Sequence, residues 1–175
     1  NFSKDRLDIV LKAFAKAKEK NSNFLFKIVG LTRDELYAIP SVRKSVDLLD
    51  ENLKCFGRLK NDECISIIKK SNFVVFSRDI NRVTSAGFPT KVFEAFKYGL
   101  PVLTNKTSDI AKYVTKQNGF LVEKANADDF SNCINFILTS NIETLTKVIE
   151  NCRKENPFFY DNYKMSTELF FKKIE

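Results

Sequence analysis

The chain has 175 residues, 43% hydrophobic and 29% charged, the make-up of one globular domain with a sizeable core. No apolar run approaches the ~18 residues needed to span a bilayer, no signal peptide is visible, and the complete lack of histidine removes His-based acid–base chemistry and His metal sites from this chain. A formal net charge of +7 fits lysine-rich helix faces or a phosphate-bearing partner, whereas scattered lysines without a dense basic block or an RNP-like aromatic pattern argue against nucleic acid.

Apolar Leu7, Val10, Leu11, Phe14 and Ala17 recur at helical spacing and predict a helix over 5–20. Residues 24–29, FLFKIV, form a short buried strand ending at Gly30. Thr32 with Glu35 three residues on is a capping box for a short helix to Tyr37, and Pro40 opens another toward Leu49. A strand is expected over 53–56, then the loop 57–60, and a helix over 62–70 capped by Asn61. Residues 73–76, FVVF, are the next strand. The stretch 77–88, SRDINRVTSAGF, shows neither helix nor strand period, and loops of this length inside a domain are often functional. A helix over 89–98, a strand over 101–104, a short helix over 107–113 and a strand over 119–122 follow. Three helices close the chain at 127–139, 142–155 and 161–174. Alternating strands and helices predict an α/β fold: a Rossmann-like, three-layer parallel sheet with helices on both faces. Ligands of such sheets bind at the carboxyl ends of the strands, so the loops after Val29, Phe56, Phe76 and Thr104 share one rim.

Chemistry concentrates in residues 86–104, AGFPTKVFEAFKYGLPVLT. Pro89 suits the first turn of a helix, where its missing N–H costs nothing. Thr90 and Lys91 then carry unpaired backbone N–H groups at the positive end of the helix dipole, an anion site whose usual occupant is phosphate. Glu94 lies four residues after Thr90, on the same face one turn deeper. A carboxylate there repels phosphate but accepts hydrogen bonds from sugar hydroxyls. Phosphate at the helix tip with ribose beside it points to a nucleotide diphosphate. The four cysteines, Cys55, Cys64, Cys133 and Cys152, form no CxxC pair and read as small apolar residues in a reducing compartment. Asp128 and Asp129 are adjacent at a helix start, partners of its dipole rather than a metal pair. Phe24, Phe26, Phe73, Phe76 and Phe93 read as core aromatics, and Arg78 and Arg82 as loop charges facing the ligand rim.

With these residues in order, the chain resembles the C-terminal, nucleotide-binding half of GT-B glycosyltransferases, in particular the retaining group called family 4. The signs are Lys4 before the first helix, Gly57-Arg58-Leu59 after a strand, Ser77 ending FVVFS, the GFPTKVFEA segment, Gly99-Leu100-Pro101-Val102, and Asn118-Gly119-Phe120-Leu121-Val122. The GFPTK form is similar to a subgroup found among bacterial capsule, cell-wall and surface-polysaccharide transferases. The resemblance implies roles for individual residues. Lys4 would neutralise the diphosphate leaving group. Thr90 and Lys91 would cradle the diphosphate, and Glu94 would bind the ribose as the second acid of the family's Glu-x7-Glu motif. Arg58 and Leu59 would contact the base through backbone, and the turn Ser85, Ala86, Gly87 and Phe88 would face the donor sugar. The first acid of that motif falls at Ala86, which has no carboxylate, so the sugar contacts must come from backbone or from the loop before it.

The same resemblance implies a substrate, a UDP- or GDP-linked sugar, transferred with retention and without a metal or other cofactor. It implies a cytoplasmic enzyme, at the inner face of the membrane if it makes peripheral contact there, although no dedicated amphipathic anchor is visible. The start Asn1-Phe2-Ser3, with no methionine, is expected for a piece of a two-domain protein whose N-terminal half holds the acceptor. Residues 1–175 would then be one nucleotide-sugar domain, with the helix over 161–175 and the aromatics Phe158, Phe159, Tyr160, Phe170 and Phe171 packing on that half. Such a fragment by itself would bind nucleotide without turnover. Two other readings stay open: a GT-B-type sugar-nucleotide epimerase, and a non-catalytic α/β interaction domain. No G-x-G-x-x-G or Walker A pattern supports a dinucleotide or ATPase site.

Overall fold

A computed structural model describes residues 4–172. In chain order the elements are α1 (Leu7–Lys18), β1 (Phe26–Ile28), α2 (Arg33–Tyr37), α3 (Pro40–Leu49), β2 (Leu53–Cys55), α4 (Asn61–Lys69) and β3 (Val74–Val75). There follow α5 (Arg82–Ala86), α6 (Thr90–Lys97), β4 (Val102–Asn105), α7 (Ile110–Tyr113), β5 (Gly119–Val122), α8 (Ala127–Thr139), α9 (Ile142–Lys154) and α10 (Lys164–Phe171). All strand pairs are parallel, and they form two ladders: β1 with β2, and β3-β4-β5. The sequence pattern suggests one continuous sheet. Here the free edges of β1 and β3 instead line a common cavity of about 730 Å³, with Phe26, Lys27 and Val29 on one side and Phe73, Val74 and Val75 on the other.

Side chains alternate along a strand, and by that alternation the β3-β4-β5 ladder feeds two cores, while β1 and β2 feed only the first. On β4, Val102 enters one core while Leu103 enters the other. On β5, Phe120 and Val122 face the first core and Leu121 the second. The first core joins α1, α2, α3 and α8 around Leu11, Leu36, Val46 and Phe130. The second joins α6 and α7 around Phe76, Val92, Phe96 and Ile110, and includes Cys152 of α9. Helices thus cover both faces of the β3-β4-β5 ladder, as α/β patterning requires.

Several local details differ from the sequence expectation. The N-cap of α4 is Lys60, not Asn61: the Lys60 backbone N–H donates to the Glu63 carboxylate at 2.9 Å, and Asn61 becomes the first helical residue. The stretch 77–88 is not wholly irregular. Asn81 accepts from the N–H groups of both Val83 and Thr84 at 3.0 Å, and this cap nucleates α5. The helix expected from Thr107 begins only at Ile110, after Ser108 adopts a φ of 51°. A 3-10 turn, Tyr160–Tyr163, replaces the first turn of the last helix, whose expected end at Ile174 lies outside the described residues, as do Asn1, Phe2 and Ser3. Phe93 is 43% exposed rather than core. Phe158 contacts Phe88, Phe93, Phe96 and Tyr113 within the domain, whereas Phe159, Tyr160, Phe170 and Phe171 are exposed. The four cysteines are unpaired, and burial pushes the thiols of Cys133 and Cys152 up to about 11 and about 12.

Close packing of β5 makes Gly119 irreplaceable. A Cβ there would lie 2.7 Å from Val114 Cγ1 and 2.8 Å from the Val102 carbonyl oxygen. The carbonyl belongs to the paired strand and cannot turn aside. Gly119→Ala is therefore expected to lower stability by about 2 kcal/mol, the cost of overpacking, readable as a shifted urea midpoint at unchanged slope.

Candidate functional site

The site is built around the start of α6. Pro89 is its N-cap, with φ −71° and ψ 118°, and lends no side-chain cap. Val92 N–H bonds back to the Pro89 carbonyl at 3.0 Å, so Thr90 and Lys91 are the first two helical residues. Val92, Ala95 and Phe96 bury the other face of α6, which fixes the helix end rigidly in the second core. Thr90 and Glu94 are exposed, and Lys91 is half-buried. Lys91 and Glu94 both line the cavity that Val29 borders just after β1, so the helix tip, its carboxylate and the end of β1 share one concavity.

A second group converges on the same point. Asp5 precedes α1, yet its backbone carbonyl accepts from Ser77 N–H at 3.3 Å, joining it to the loop after β3. Its carboxylate reaches Lys91 Nζ at 3.1 Å with Oδ2 and Arg78 Nε at 3.5 Å with Oδ1. Burial tends to raise the Asp5 pKa, but the Lys91 charge and hydrogen bond, with help from Arg78, hold it below the usual carboxylate range. Arg6 occupies the left-handed region at the N-cap of α1, with φ 39° and ψ 50°, and its guanidinium binds both Asp8 and Asp79. That pairing ties the start of α1 to the loop after β3 a second time.

The loop itself is held by Asn105 at the end of β4, a residue with no solvent exposure. Its Oδ1 accepts from Arg78 N–H at 2.8 Å and from the Ser77 hydroxyl at 3.2 Å, and its Nδ2 donates to the Arg78 carbonyl at 2.9 Å. One amide thus fixes the backbone of Arg78 and the hydroxyl of Ser77. Arg78, read as a loop charge, is buried with its guanidinium near the Phe76 ring.

The other anticipated residues are placed as follows. Lys4 is exposed, one residue before Asp5. Arg58 is exposed and Leu59 half-buried in the loop after β2, where Gly57 at φ 64° accepts from Gly30 N–H at 2.7 Å and donates to the Leu31 carbonyl at 3.0 Å. Those bonds bring the loops after β1 and β2 together. Ser85 and Ala86 belong to α5, and Ser85 N–H is engaged by the Asn81 carbonyl at 2.9 Å. That N–H is spent inside the helix, which leaves Gly87 and Phe88 as the part of 85–88 outside α5. Gly87 follows in extended backbone, and the Phe88 ring packs edge-on against Phe93 and Tyr113. The structure therefore gathers Lys91, Glu94, Asp5 and Arg78, and keeps Arg58 and Leu59 on a separate loop. Sequence reasoning missed Asp5 and Asn105. Asp5 had a signal in its place beside Lys4, but a strand-end asparagine carries none.

Solved structures share this arrangement of elements. The C-terminal domain of LpcC, a glycosyl transferase group 1 family protein from Francisella tularensis, superposes with TM-score 0.68 at 19% identity, covering 85% of this chain and 76% of that one. WaaG, a glycosyltransferase involved in lipopolysaccharide biosynthesis, gives 0.69 at 18% identity over 91% of this chain and 41% of its own. HepE from Anabaena, solved with UDP-glucose, gives 0.61 at 17% identity over 87% of this chain and 40% of its own. The chain thus spans about two fifths of WaaG and of HepE. These likenesses establish the fold, that of the Rossmann-like C-terminal domain of GT-B enzymes. No curated protein is significantly similar in sequence. Residues 2–155 match one family throughout, and by that match the chain belongs to the glycosyl transferases group 1.

Proposed function

We propose that this chain is the donor-binding domain of a glycosyltransferase that moves a sugar from a nucleotide diphosphate sugar to an acceptor hydroxyl, with retention at the anomeric carbon. The observation that carries this reading is the start of α6: first-turn N–H groups at Thr90 and Lys91 without a side-chain cap, with Glu94 one turn below and lining one cavity with Lys91. In the mechanism, the first-turn amides and the helix dipole receive the β-phosphate. Lys91, and Lys4 from the turn before α1, meet the negative charge that grows on it as the glycosidic bond breaks; such a contact contributes ~2–4 kcal/mol of barrier lowering. The reading invokes no metal, because the helix end and the lysines supply the neutralising charge. Glu94 accepts from the ribose hydroxyls, the Arg58-Leu59 loop faces the base, and the backbone of Gly87 and Phe88 faces the donor sugar.

HepE is described with UDP-glucose and UDP, which supports a UDP-linked donor over a GDP-linked one. WaaG acts in lipopolysaccharide biosynthesis, which supports a role in surface polysaccharide synthesis, with an acceptor bound by an N-terminal domain. No helix among the described residues is long and apolar enough to cross a membrane. A cytoplasmic site of action, at the inner membrane face, follows from the proposed substrate. The exposed Phe159, Tyr160, Phe170 and Phe171 are the surface proposed to pack on the N-terminal half.

The test is product analysis by NMR with UDP-linked sugars and the full-length protein. A glycosylated acceptor with the donor's anomeric configuration and free UDP is expected. Glu94→Ala should lower kcat/KM about 10- to 100-fold, the worth of hydrogen bonds to a charged acceptor. An epimerised nucleotide sugar, an inverted product or no turnover at all would contradict the proposal.

A further inference from the structure

We propose that Asp5 is a resident counter-ion of the diphosphate site, displaced by the ligand's phosphates, and so sets how tightly a diphosphate is held. This rests on the reading of the α6 start as the donor site. The Asp5 side chain is only 12% exposed and lies between the cations Lys91, at 3.1 Å, and Arg78, at 3.5 Å. Its position is not free to drift, because its own carbonyl is bonded to Ser77 N–H and Ser77 is in turn held by Asn105. Arg78 is more than nine-tenths buried, and its Nε–H has no hydrogen-bond partner although the carboxylate lies within charge-contact range. A buried guanidinium N–H with unspent bonding capacity marks a place where a better acceptor can enter.

Charge decides the direction. Lys91 and Arg78 bring two positive charges against the single negative charge of Asp5. A diphosphate that enters must take Lys91 from Asp5 and then sit beside a fixed carboxylate that repels it. Asp5 therefore keeps both cations ordered in the empty site while weakening the hold on the bound diphosphate. That balance suits a site that must release a nucleotide diphosphate after every transfer.

The test is calorimetry on the purified protein with inorganic pyrophosphate, UDP and GDP. Asp5→Asn keeps an acceptor for Lys91 and removes the charge. It should tighten pyrophosphate, and the diphosphate that binds, about tenfold. Lys91→Gln in the Asp5→Asn background should cancel the gain. Unchanged or weaker pyrophosphate binding in a folded Asp5→Asn protein would overturn the proposal and make Asp5 a mere tether for the cations. Asp5→Ser is the second variant, with the same expectation; failure of both to fold also overturns it, since Asp5 is then a structural tie. Tighter pyrophosphate together with UDP and GDP binding indifferent to Glu94→Ala would sustain the counter-ion and reject the donor reading.

Discussion

Lys91→Gln is expected to lower kcat by about 10²- to 10³-fold, with a smaller change in KM for the donor. Lys91 is the second residue of α6, and its ammonium lies at the helix tip, 3.1 Å from Asp5. The β-phosphate it meets is already anionic in the bound donor and gains further negative charge as the glycosidic bond breaks, so its loss falls more on kcat than on ground-state binding. Glutamine keeps length and polarity but carries no charge. The side chain is 40% exposed, so the fold should be nearly indifferent, with stability changed by less than about 1 kcal/mol. Steady-state kinetics beside a thermal melt separate the two. A native melt with full kcat would remove Lys91 from the proposed mechanism.

The largest expected loss of stability belongs to Phe130→Ala, about 3–5 kcal/mol. Phe130 is fully buried on α8, in the core that α8 shares with α1 and α3. The cavity left by the ring would be walled by helices and by strand residues such as Leu103 and Val122, which are held in place by their ladder and cannot collapse inward. Phe171→Ala provides the contrast. Phe171 is 61% exposed on α10, and its loss should change the stability of this chain by about 0.5 kcal/mol or less. Urea unfolding of the two variants reads the difference. Equal effects would mean that the core is not where the structure puts it.

What the sequence makes legible follows from what each element buries. α8 and β5 have the bounds expected from periodicity, and α1, α3 and α9 agree to within a few residues, because each presents an apolar face to a core. α5 escapes periodicity because none of its five residues is buried; the Asn81 side chain holds it, not a hydrophobic stripe. The two-ladder arrangement is equally hidden. Short apolar strands state that they are buried, not which neighbour they bond, and β1 and β3 show the same apolar pattern whether or not they pair. Within the candidate site, local chemistry makes Thr90, Lys91 and Glu94 legible, since turn, dipole and helical spacing act over a few residues. Asp5 and Arg78 lie 73 residues apart in the chain and look like solvated charges until the fold brings them to 3.5 Å. Asn105 is harder still, because its role is to bond the backbone of another loop. The departure at Ala86 is legible as a missing carboxylate, and the structure adds that this position closes α5.

The most direct measurement is a calorimetric titration of the protein with UDP, GDP and ADP, with Glu94→Ala alongside. The donor-site account predicts selective binding of one nucleoside diphosphate, UDP under the proposed donor, weakened about tenfold or more by the substitution. Binding of none of the three, or binding that Glu94→Ala leaves untouched, would contradict it.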